Sequence, residues 1–324
     1  MIKPVLLLIF NRPDLTERVF ARIREAAPRL LYVAADGPRA DRLGEDAICR
    51  ETREIVAKVD WDCEVFYLYR VENLGCKQAV SSAITWFFDN VESGIILEDD
   101  CLPDPSFFNF CSELLERYQD DARIGIVSGA NFQSKTLRAK ASHSYYFSNY
   151  AHIWGWATWR RVWSHYDANL VRWSGDLEAH ANEIPIPRVR ATLTTWMRNA
   201  QTGETDTWDY QLLNLLISRR QFAVIPWVNL VTNIGFDERA THTTGAASSL
   251  PPAMAITFPF THPSEFVANR LADNYTESVV FGIAPSLANH FYRRFQTLLK
   301  RIAIRIHWVC FLKLPKKSSQ NPAP

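Results

Sequence analysis

Short apolar runs alternate with helical patterns along the first hundred residues, and this alternation constrains the fold more than any other feature. Each run has four to seven residues and is followed by a longer segment with apolar residues at helical spacing. This order predicts βαβ units, and uninterrupted apolar strands favour a parallel sheet with helices on both faces. The predicted strands are residues 4–10, 30–35, 63–69 and 94–97, and the predicted helices are 15–26, 41–59 and 75–90.

The pattern changes after residue 105, where strands and helices no longer alternate regularly. No internal repeat and no Ser/Gly linker divides the chain, which favours one continuous α/β domain. The aromatic-rich segment 143–163 is expected to be irregular. Helices are predicted at 107–118, 186–199 and 209–220, and strands at 125–129 and 222–231.

Charge is distributed unevenly along a chain whose net charge is only +1. Residues 278–324 carry eight Lys or Arg and no acid, so the first 277 residues have 28 basic and 35 acidic side chains, a net of −7. The overall balance disfavours a nucleic-acid-binding protein, and an acidic body is suited to holding a cation. The six cysteines form no CxxC pair and are too few for a disulfide scaffold, so neither structural zinc nor a disulfide framework is indicated.

Polar clusters follow three of the predicted strands directly. They are Asn11-Arg12-Pro13, Asp36-Gly37-Pro38 and Glu98-Asp99-Asp100. In open α/β sheets, ligands bind outside the carboxyl ends of the strands. The three clusters therefore mark one edge of the sheet as the expected site.

Three adjacent acids repel one another, and a divalent cation removes that cost. Mg²⁺ or Mn²⁺ prefers carboxylate oxygens and takes one or two of them beside substrate phosphates, so Glu98-Asp99-Asp100 predicts such a site; the alternative is a solvated turn. Asp36 can accept hydrogen bonds from a base or ribose, although Asp-Gly-Pro is also a turn signal. Arg12 can pair with a phosphate, and Lys77 begins a helix where anions are favoured; both can equally be surface residues.

Further candidates lie in the second half of the chain. Trp156, in Trp154-Gly155-Trp156, can stack on a sugar or belong to a second core. Asp209 begins a predicted helix beside aromatic residues and can serve as a general base. The alternative is an acid that is merely stabilised by the helix dipole at the N-terminus of the helix, and Asp206 is a competing candidate for either role. His242, in a late polar loop, can bind metal or phosphate or be merely exposed. Serine-hydrolase, Walker and GxGxxG motifs are absent.

The succession FNRP, AADGPR, NLG and IILEDDCLPDPSFF resembles GT-A-type glycosyltransferases, and more closely the bacterial relatives of N-acetylglucosaminyltransferase I. The resemblance covers roughly residues 3–245 and implies a GT-A-like, Rossmann-type fold. It implies that Asp100 binds the metal, that Glu98 and Asp99 hold the ribose and sugar of the donor, and that Asp209, in Trp208-Asp209, is the base. Asp36 would read the nucleotide base, and Arg12 would contact the base or the diphosphate.

The implied function is a metal-dependent, inverting glycosyltransferase that moves a sugar from a UDP-sugar to a glycan or lipid-linked acceptor, as in bacterial surface polysaccharide synthesis. The alternatives are a nucleotidyltransferase that makes nucleotide sugars and a non-catalytic carbohydrate-binding or membrane-docking protein. The expected organisation is a glycosyltransferase domain over 1–245 (donor half about 1–130, acceptor half about 131–245), an extension over 246–289, a helix over 290–314 and a disordered tail over 315–324.

Residues 290–314 have apolar side chains at helical spacing with Arg and Lys between them. A basic amphipathic helix of this kind can lie on an anionic membrane surface, or it can pack on the domain. No run of 18 uninterrupted apolar residues occurs, so no membrane span is expected. We therefore expect a cytoplasmic protein that can associate with the inner face of the membrane.

Overall fold

A computed structural model describes residues 1–139, 141–236 and 251–283 of the chain. Within these residues, eight strands form one sheet in the order β3-β2-β1-β4-β8-β6-β9-β7. The strands are β1 (Val5–Ile9), β2 (Leu30–Ala35), β3 (Glu64–Tyr69), β4 (Ser93–Glu98), β5 (Cys101–Pro103), β6 (Ile124–Ser128), β7 (Tyr145–Ser148), β8 (Trp156–Trp159), β9 (Phe222–Pro226) and β10 (Val231–Asn233).

Strands β3, β2, β1 and β4 pair in parallel, and we call them the parallel half of the sheet. All five residues of β1 are buried, as expected for a strand covered on both faces. With right-handed crossovers, α1 and α2 lie on one face and α3 on the other. The helices are α1 (Pro13–Ala26), α2 (Glu45–Val56), α3 (Gly75–Asn90), α4 (Ser106–Arg117), α5 (Lys135–Arg138), α6 (Arg160–Trp163), α7 (Pro187–Thr202), α8 (Asp209–Ser218) and α9 (Arg270–Tyr275).

Strands β8, β6, β9 and β7 form the mixed half of the sheet. β8 lies between β4 and β6 and is antiparallel to both, whereas β6 and β9 are parallel and β7 is antiparallel to β9. Six of the eight strands in this described sheet therefore run in one direction. The predicted α/β fold with a mainly parallel central sheet flanked by helices is confirmed.

A second, small sheet lies beside the acid triplet. β5 follows Asp100 directly and pairs antiparallel with β10, so that Asn233 is opposite Cys101. The pairing is extended by a hydrogen bond from the Ile234 N–H to the Asp100 carbonyl, 2.8 Å. This small sheet brings residues 231–235 next to the end of β4.

The segment 143–163 differs from its prediction. It was expected to be irregular, but it contains β7, β8 and the short helix α6. Every residue of β7 and β8 is buried. These strands have only four residues each, and their pairing partners lie far away in the chain, so local sequence carries little signal for them. The long predicted strand 222–231 is likewise two shorter strands, β9 and β10, in different sheets.

Residues Met1–Thr276 form one compact unit, and Glu277–Pro324 form a second, of which residues 277–283 are described. The predicted domain boundaries, including the helix over 290–314 and the tail over 315–324, remain predictions, since those two segments lie outside the described residues. Within the described ranges, no helix combines the length and the apolar character that crossing a bilayer requires.

Candidate functional site

The ends of β1 and β4 bring a basic group against the acid triplet. The two strands are parallel neighbours, and Leu8 lies opposite Glu98 in their register. Arg12, three residues beyond the buried end of β1, donates through Nη1 to Asp100 Oδ2 at 2.9 Å and lies 3.9 Å from Asp99 Oδ1. The Phe10 N–H donates to Asp99 Oδ2 at 3.3 Å. Sequence-predicted residues from two separate strand ends thus form one cluster.

Negative charge exceeds positive charge in this cluster. Burial raises the pKa of Glu98 to about 8, and the negative charges of Asp100, Asp99 and Asp209 add to this rise, whereas Arg12 opposes it. Asp209 is thus among the charges that act on Glu98, although it lies more than a hundred positions later in the chain. A cation binding here would lower the repulsion among these carboxylates.

Gly235 packs directly on the pair formed by Asp100 and Arg12. A Cβ atom at position 235 would lie 2.3 Å from Asp100 Oδ2 and 2.9 Å from Arg12 Nη1, closer than real contacts allow. The Gly235 N–H donates to Asn233 Oδ1 at 2.8 Å, which fixes the turn after β10. A side chain larger than hydrogen at position 235 would displace Asp100, the candidate metal ligand.

Asp36 holds the loop that leads into α3. Its carboxylate accepts hydrogen bonds from the Gly37 N–H, the Leu74 N–H and Asn73 Nδ2, at 2.9–3.1 Å. Burial raises the pKa of Asp36, and backbone N–H groups of Leu74, Gly37 and Gly75 oppose this rise. In this structure both carboxylate oxygens accept hydrogen bonds from the protein, and recognition of a nucleotide base by Asp36 remains a prediction.

The first turn of α3 lies in the middle of the acidic groups. Lys77 donates from Nζ to Asn169 Oδ1 at 3.2 Å, and its backbone N–H donates to Asp206. Burial raises the pKa of Cys76 to about 12, and the charges of Glu98, Asp206, Asp209 and Asp36 contribute. Cys76 is therefore influenced by four carboxylates from three parts of the chain, and its thiol is protonated at neutral pH.

Asp209 begins α8, where its carboxylate accepts a hydrogen bond from the Thr207 hydroxyl. α8 precedes β9, which runs parallel to β6, so the helix begins at the sheet edge where the parallel strands end. Trp208, the preceding residue, is buried and stacks on Trp156 with ring centroids 5.6 Å apart. The start of α8 is thus attached to the core of the mixed half.

Trp156 does not have the accessible position that was predicted for it. Its side chain is 1% exposed, because β8 lies inside the sheet and the ring packs on Trp208. In this structure the ring is not available for stacking on a sugar, and Trp156 contacts the site only through the residue before Asp209. His242, the other predicted ligand of this half, lies outside the described residues.

The donor chemistry of the cluster fits a hard divalent cation. Asp100 offers carboxylate oxygens and is 18% exposed at its side chain, so an ion can reach it. Among the described residues, no group of three or more His, Cys, Asp and Glu side chains is arranged to hold a metal ion by itself.

Comparisons with known proteins identify no family for this chain. No family model matches the chain, and no curated protein matches it. Solved structures that match part of the chain include a UDP-glucose pyrophosphorylase complexed with UDP-glucose (TM-score 0.34, 11% identity, 70% of this chain and 90% of that one).

A second is a cytidylyltransferase from Leptospira borgpetersenii (TM-score 0.32, 12% identity, 60% of this chain and 74% of that one). A third is 4-diphosphocytidyl-2C-methyl-D-erythritol synthase from Anaerococcus prevotii (TM-score 0.35, 10% identity, 69% of this chain and 86% of that one). At these TM-scores the likeness carries no argument about function.

Three residues of the site were not anticipated from the sequence. Gly235 follows Asn233 in a turn, and the Asn-x-Gly pattern is a signal for the turn but not for its position against Asp100. Cys76 had no motif around it. Glu45 is buried and accepts a hydrogen bond from Asn11 Nδ2 at 2.9 Å, which ties α2 to the end of β1. Each of these positions depends on contacts between distant parts of the chain.

Proposed function

We propose that this protein is a metal-dependent, inverting glycosyltransferase that uses a nucleotide sugar, with a UDP-sugar as the first donor to test. The observation that carries the proposal is the cluster at the ends of β1 and β4, where Arg12 Nη1 lies 2.9 Å from Asp100 Oδ2 and 3.9 Å from Asp99 Oδ1, with Asp209 on a separate element at the start of α8. Glycosyl transfer requires one group of residues to hold the donor diphosphate and a separate base for the acceptor. The two parts of this site match those two tasks.

The roles of the protein's own residues follow from their positions. Asp100 would hold Mn²⁺ or Mg²⁺, which when bound neutralises charge on the leaving diphosphate. Arg12, beside Asp100, would attract the same diphosphate. Glu98 and Asp99 would hold hydroxyl groups of the donor. Lys77, in the first turn of α3, adds positive charge near the donor end of the site.

The transfer step itself needs one base. The Asp209 carboxylate takes the proton of the acceptor hydroxyl as that oxygen bonds to the anomeric carbon of the donor sugar. The bond between the anomeric carbon and the diphosphate oxygen breaks, and its electron pair leaves with the nucleoside diphosphate. Attack opposite the leaving group inverts the anomeric configuration, so no covalent sugar–enzyme intermediate forms. The acceptor class, a glycan or lipid-linked glycan, stays part of the proposal, as does contact with an anionic membrane.

A nucleotidyltransferase that makes nucleotide sugars is the second candidate. It also needs acids at strand ends, which Glu98-Asp99-Asp100 would supply. Such enzymes usually have a Gly-rich, Lys- or Arg-containing loop after the first strand, where this chain has Phe10-Asn11-Arg12-Pro13. A non-catalytic carbohydrate-binding protein would retain the fold without turnover.

Calorimetry with UDP, GDP and several UDP-sugars, in Mn²⁺ and in EDTA, tests the donor site. We expect one nucleotide to bind only with metal and Asp100→Ala to abolish that binding, while Asp46→Ala, on the exposed side of α2, binds as the wild type does. Binding that is insensitive to both EDTA and Asp100→Ala would refute the metal assignment.

Product analysis then separates the two enzyme classes. A glycosyltransferase releases UDP from the UDP-sugar when an acceptor is present. A nucleotidyltransferase instead uses added pyrophosphate to form UTP and a sugar 1-phosphate. UTP formation that depends on pyrophosphate would replace the first proposal with the second, and tight binding without either product would indicate a binding protein.

A further inference from the structure

The segment 206–209 is held from two sides. On one side, Trp208 is buried against Trp156, and its carbonyl accepts a hydrogen bond from the Tyr166 hydroxyl at 2.9 Å. On the other side, Asp206 accepts hydrogen bonds from the first turn of α3, at 3.0 Å from the Cys76 N–H and 3.1 Å from the Lys77 N–H. The candidate base, Asp209, follows immediately after these two attachments.

The helix cap on α3 comes from a distant part of the chain. Helix N-termini usually obtain a capping side chain from the residue just before the helix, but Leu74 occupies that position and supplies none. Asp206, 129 residues beyond Lys77, accepts the two N–H bonds instead. Gly75 permits the approach, since its φ is +77° and a Cβ there would lie 2.9 Å from Asp206 Oδ2.

The same turn is attached to the parallel half of the sheet through Asp36. The Asp36 carboxylate, at the end of β2, accepts hydrogen bonds from Asn73 and Leu74, immediately before α3. A continuous set of contacts therefore runs from β2 through residues 73–77 to Asp206. It links the half of the sheet that carries the acid triplet to the segment that carries Asp209.

We infer that Asp206 is a positioning residue, whose contact with the first turn of α3 sets the distance between Asp209 and the acid triplet. This inference rests on the proposed function, and it assigns Asp206 a role other than that of the base. Both Asp206 oxygens already accept N–H bonds from α3, whereas Asp209 lies three residues further on, as the first residue of α8. Loss of the contact would free the loop and misplace the base.

Two substitutions at position 206 separate positioning from proton transfer. Asparagine keeps an oxygen that caps the helix but cannot act as a general base, whereas alanine keeps neither property. We expect Asp206→Ala to lower kcat about 10- to 100-fold with a donor KM near that of the wild type, since small misplacements of a catalytic group cost this much. We expect Asp206→Asn to lower kcat less than Asp206→Ala does, because one of the two capping oxygens remains.

The combined variant tests whether Asp206 acts through Asp209. In an Asp209→Asn background, Asp206→Ala should cause no further loss, because the misplaced group no longer accepts a proton. If Asp206→Asn were as inactive as Asp206→Ala while Asp209→Asn kept normal transfer, Asp206 itself would be the base and the inference would be overturned. Full activity of Asp206→Ala would overturn it as well.

Hydrogen exchange tests the contact independently of activity. Asp206→Ala should speed amide exchange at residues 75–78, whereas Asn269→Ala, which removes the cap of α9 at the Ala272 N–H, should not. Unchanged exchange in Asp206→Ala would show that the contact does not hold α3. If exchange responds as expected but the wild type transfers no sugar to any acceptor tested, the proposed function fails while the contact between Asp206 and α3 stands.

Discussion

The two halves of the sheet contribute to the candidate site in different ways. In the parallel half, Arg12, Asp36 and the acid triplet each follow the end of their own strand, so topology alone brings them to one edge. In the mixed half, Asp209 is carried by a helix, and its position depends on the Trp208–Trp156 stack and on the contact between Asp206 and α3. Strand ends provide groups that hold a ligand, whereas a base needs separate tertiary support.

This difference has a physical reason. Neighbouring parallel strands fix the spacing of the residues that follow them, because each pair is joined by a regular ladder of hydrogen bonds. The start of α8 has no such ladder and is fixed by side-chain packing and capping. We therefore predict that substitutions in the mixed half can lower the rate of sugar transfer without weakening donor binding, which depends on residues of the parallel half.

The largest expected effect comes from Asp209→Asn. Removal of the base should lower transfer about 10²- to 10⁴-fold, while metal-dependent donor binding stays within a factor of about two. Single-turnover transfer and calorimetry on the same samples measure the two quantities. Asp46→Asn, on the exposed side of α2, is the control. Near-normal transfer by Asp209→Asn would show that Asp209 is not the base. The proposed difference between the two halves of the sheet would then be wrong as well.

A second prediction concerns acid stability of the mixed half. His152, between β7 and β8, is buried against the Phe132 ring, and burial lowers its pKa to about 4, below its ordinary value. Protonation therefore favours the unfolded state, so stability is greatest above about pH 6.5 and falls as pH decreases toward 4, by on the order of 2–3 kcal/mol.

The unfolding temperature measured between pH 7 and pH 4 checks this prediction. His152→Asn should flatten the decrease, whatever its effect at pH 7, and His143→Asn, at a half-buried position just before β7, should leave the decrease as in the wild type. An unchanged pH dependence in His152→Asn would show that another group causes the acid loss.

The smallest expected effect is that of Gly235→Ala. Gly235 follows β10, outside the parallel half, but it packs on Asp100 and Arg12 at the strand ends of that half. The new Cβ would displace Asp100 and Arg12, so metal-dependent nucleotide binding should weaken about 10- to 100-fold, or about 1.4–2.8 kcal/mol. Calorimetry with Mn²⁺ measures this loss. Gly175→Ala is the control for steric contact, since a Cβ there would meet nothing within 4 Å; its φ of +91° adds a backbone strain that Gly235→Ala does not have. Equal binding by both variants would show that Asp100 tolerates displacement.

Much of the parallel half could be predicted from the sequence, because each strand there is a continuous apolar run followed by a helix. The predicted strand over residues 30–35 is β2 itself, and α3 begins and ends at the predicted residues. The mixed half could not be predicted in the same detail. β8 has four residues, WATW, and its strand state depends on β4 and β6, which the local pattern does not contain.

The sequence by itself determined the fold class and the edge at which Arg12, Asp36 and Glu98-Asp99-Asp100 meet, because residues after parallel strands share an edge whatever the details of packing. Only the tertiary structure decided that Trp156 is buried, that Gly235 packs on Asp100, and that Asp206 caps α3 while Asp209 is among the charges that act on Glu98. These outcomes depend on contacts between residues more than fifty positions apart, for which neither periodicity nor a short motif carries a signal.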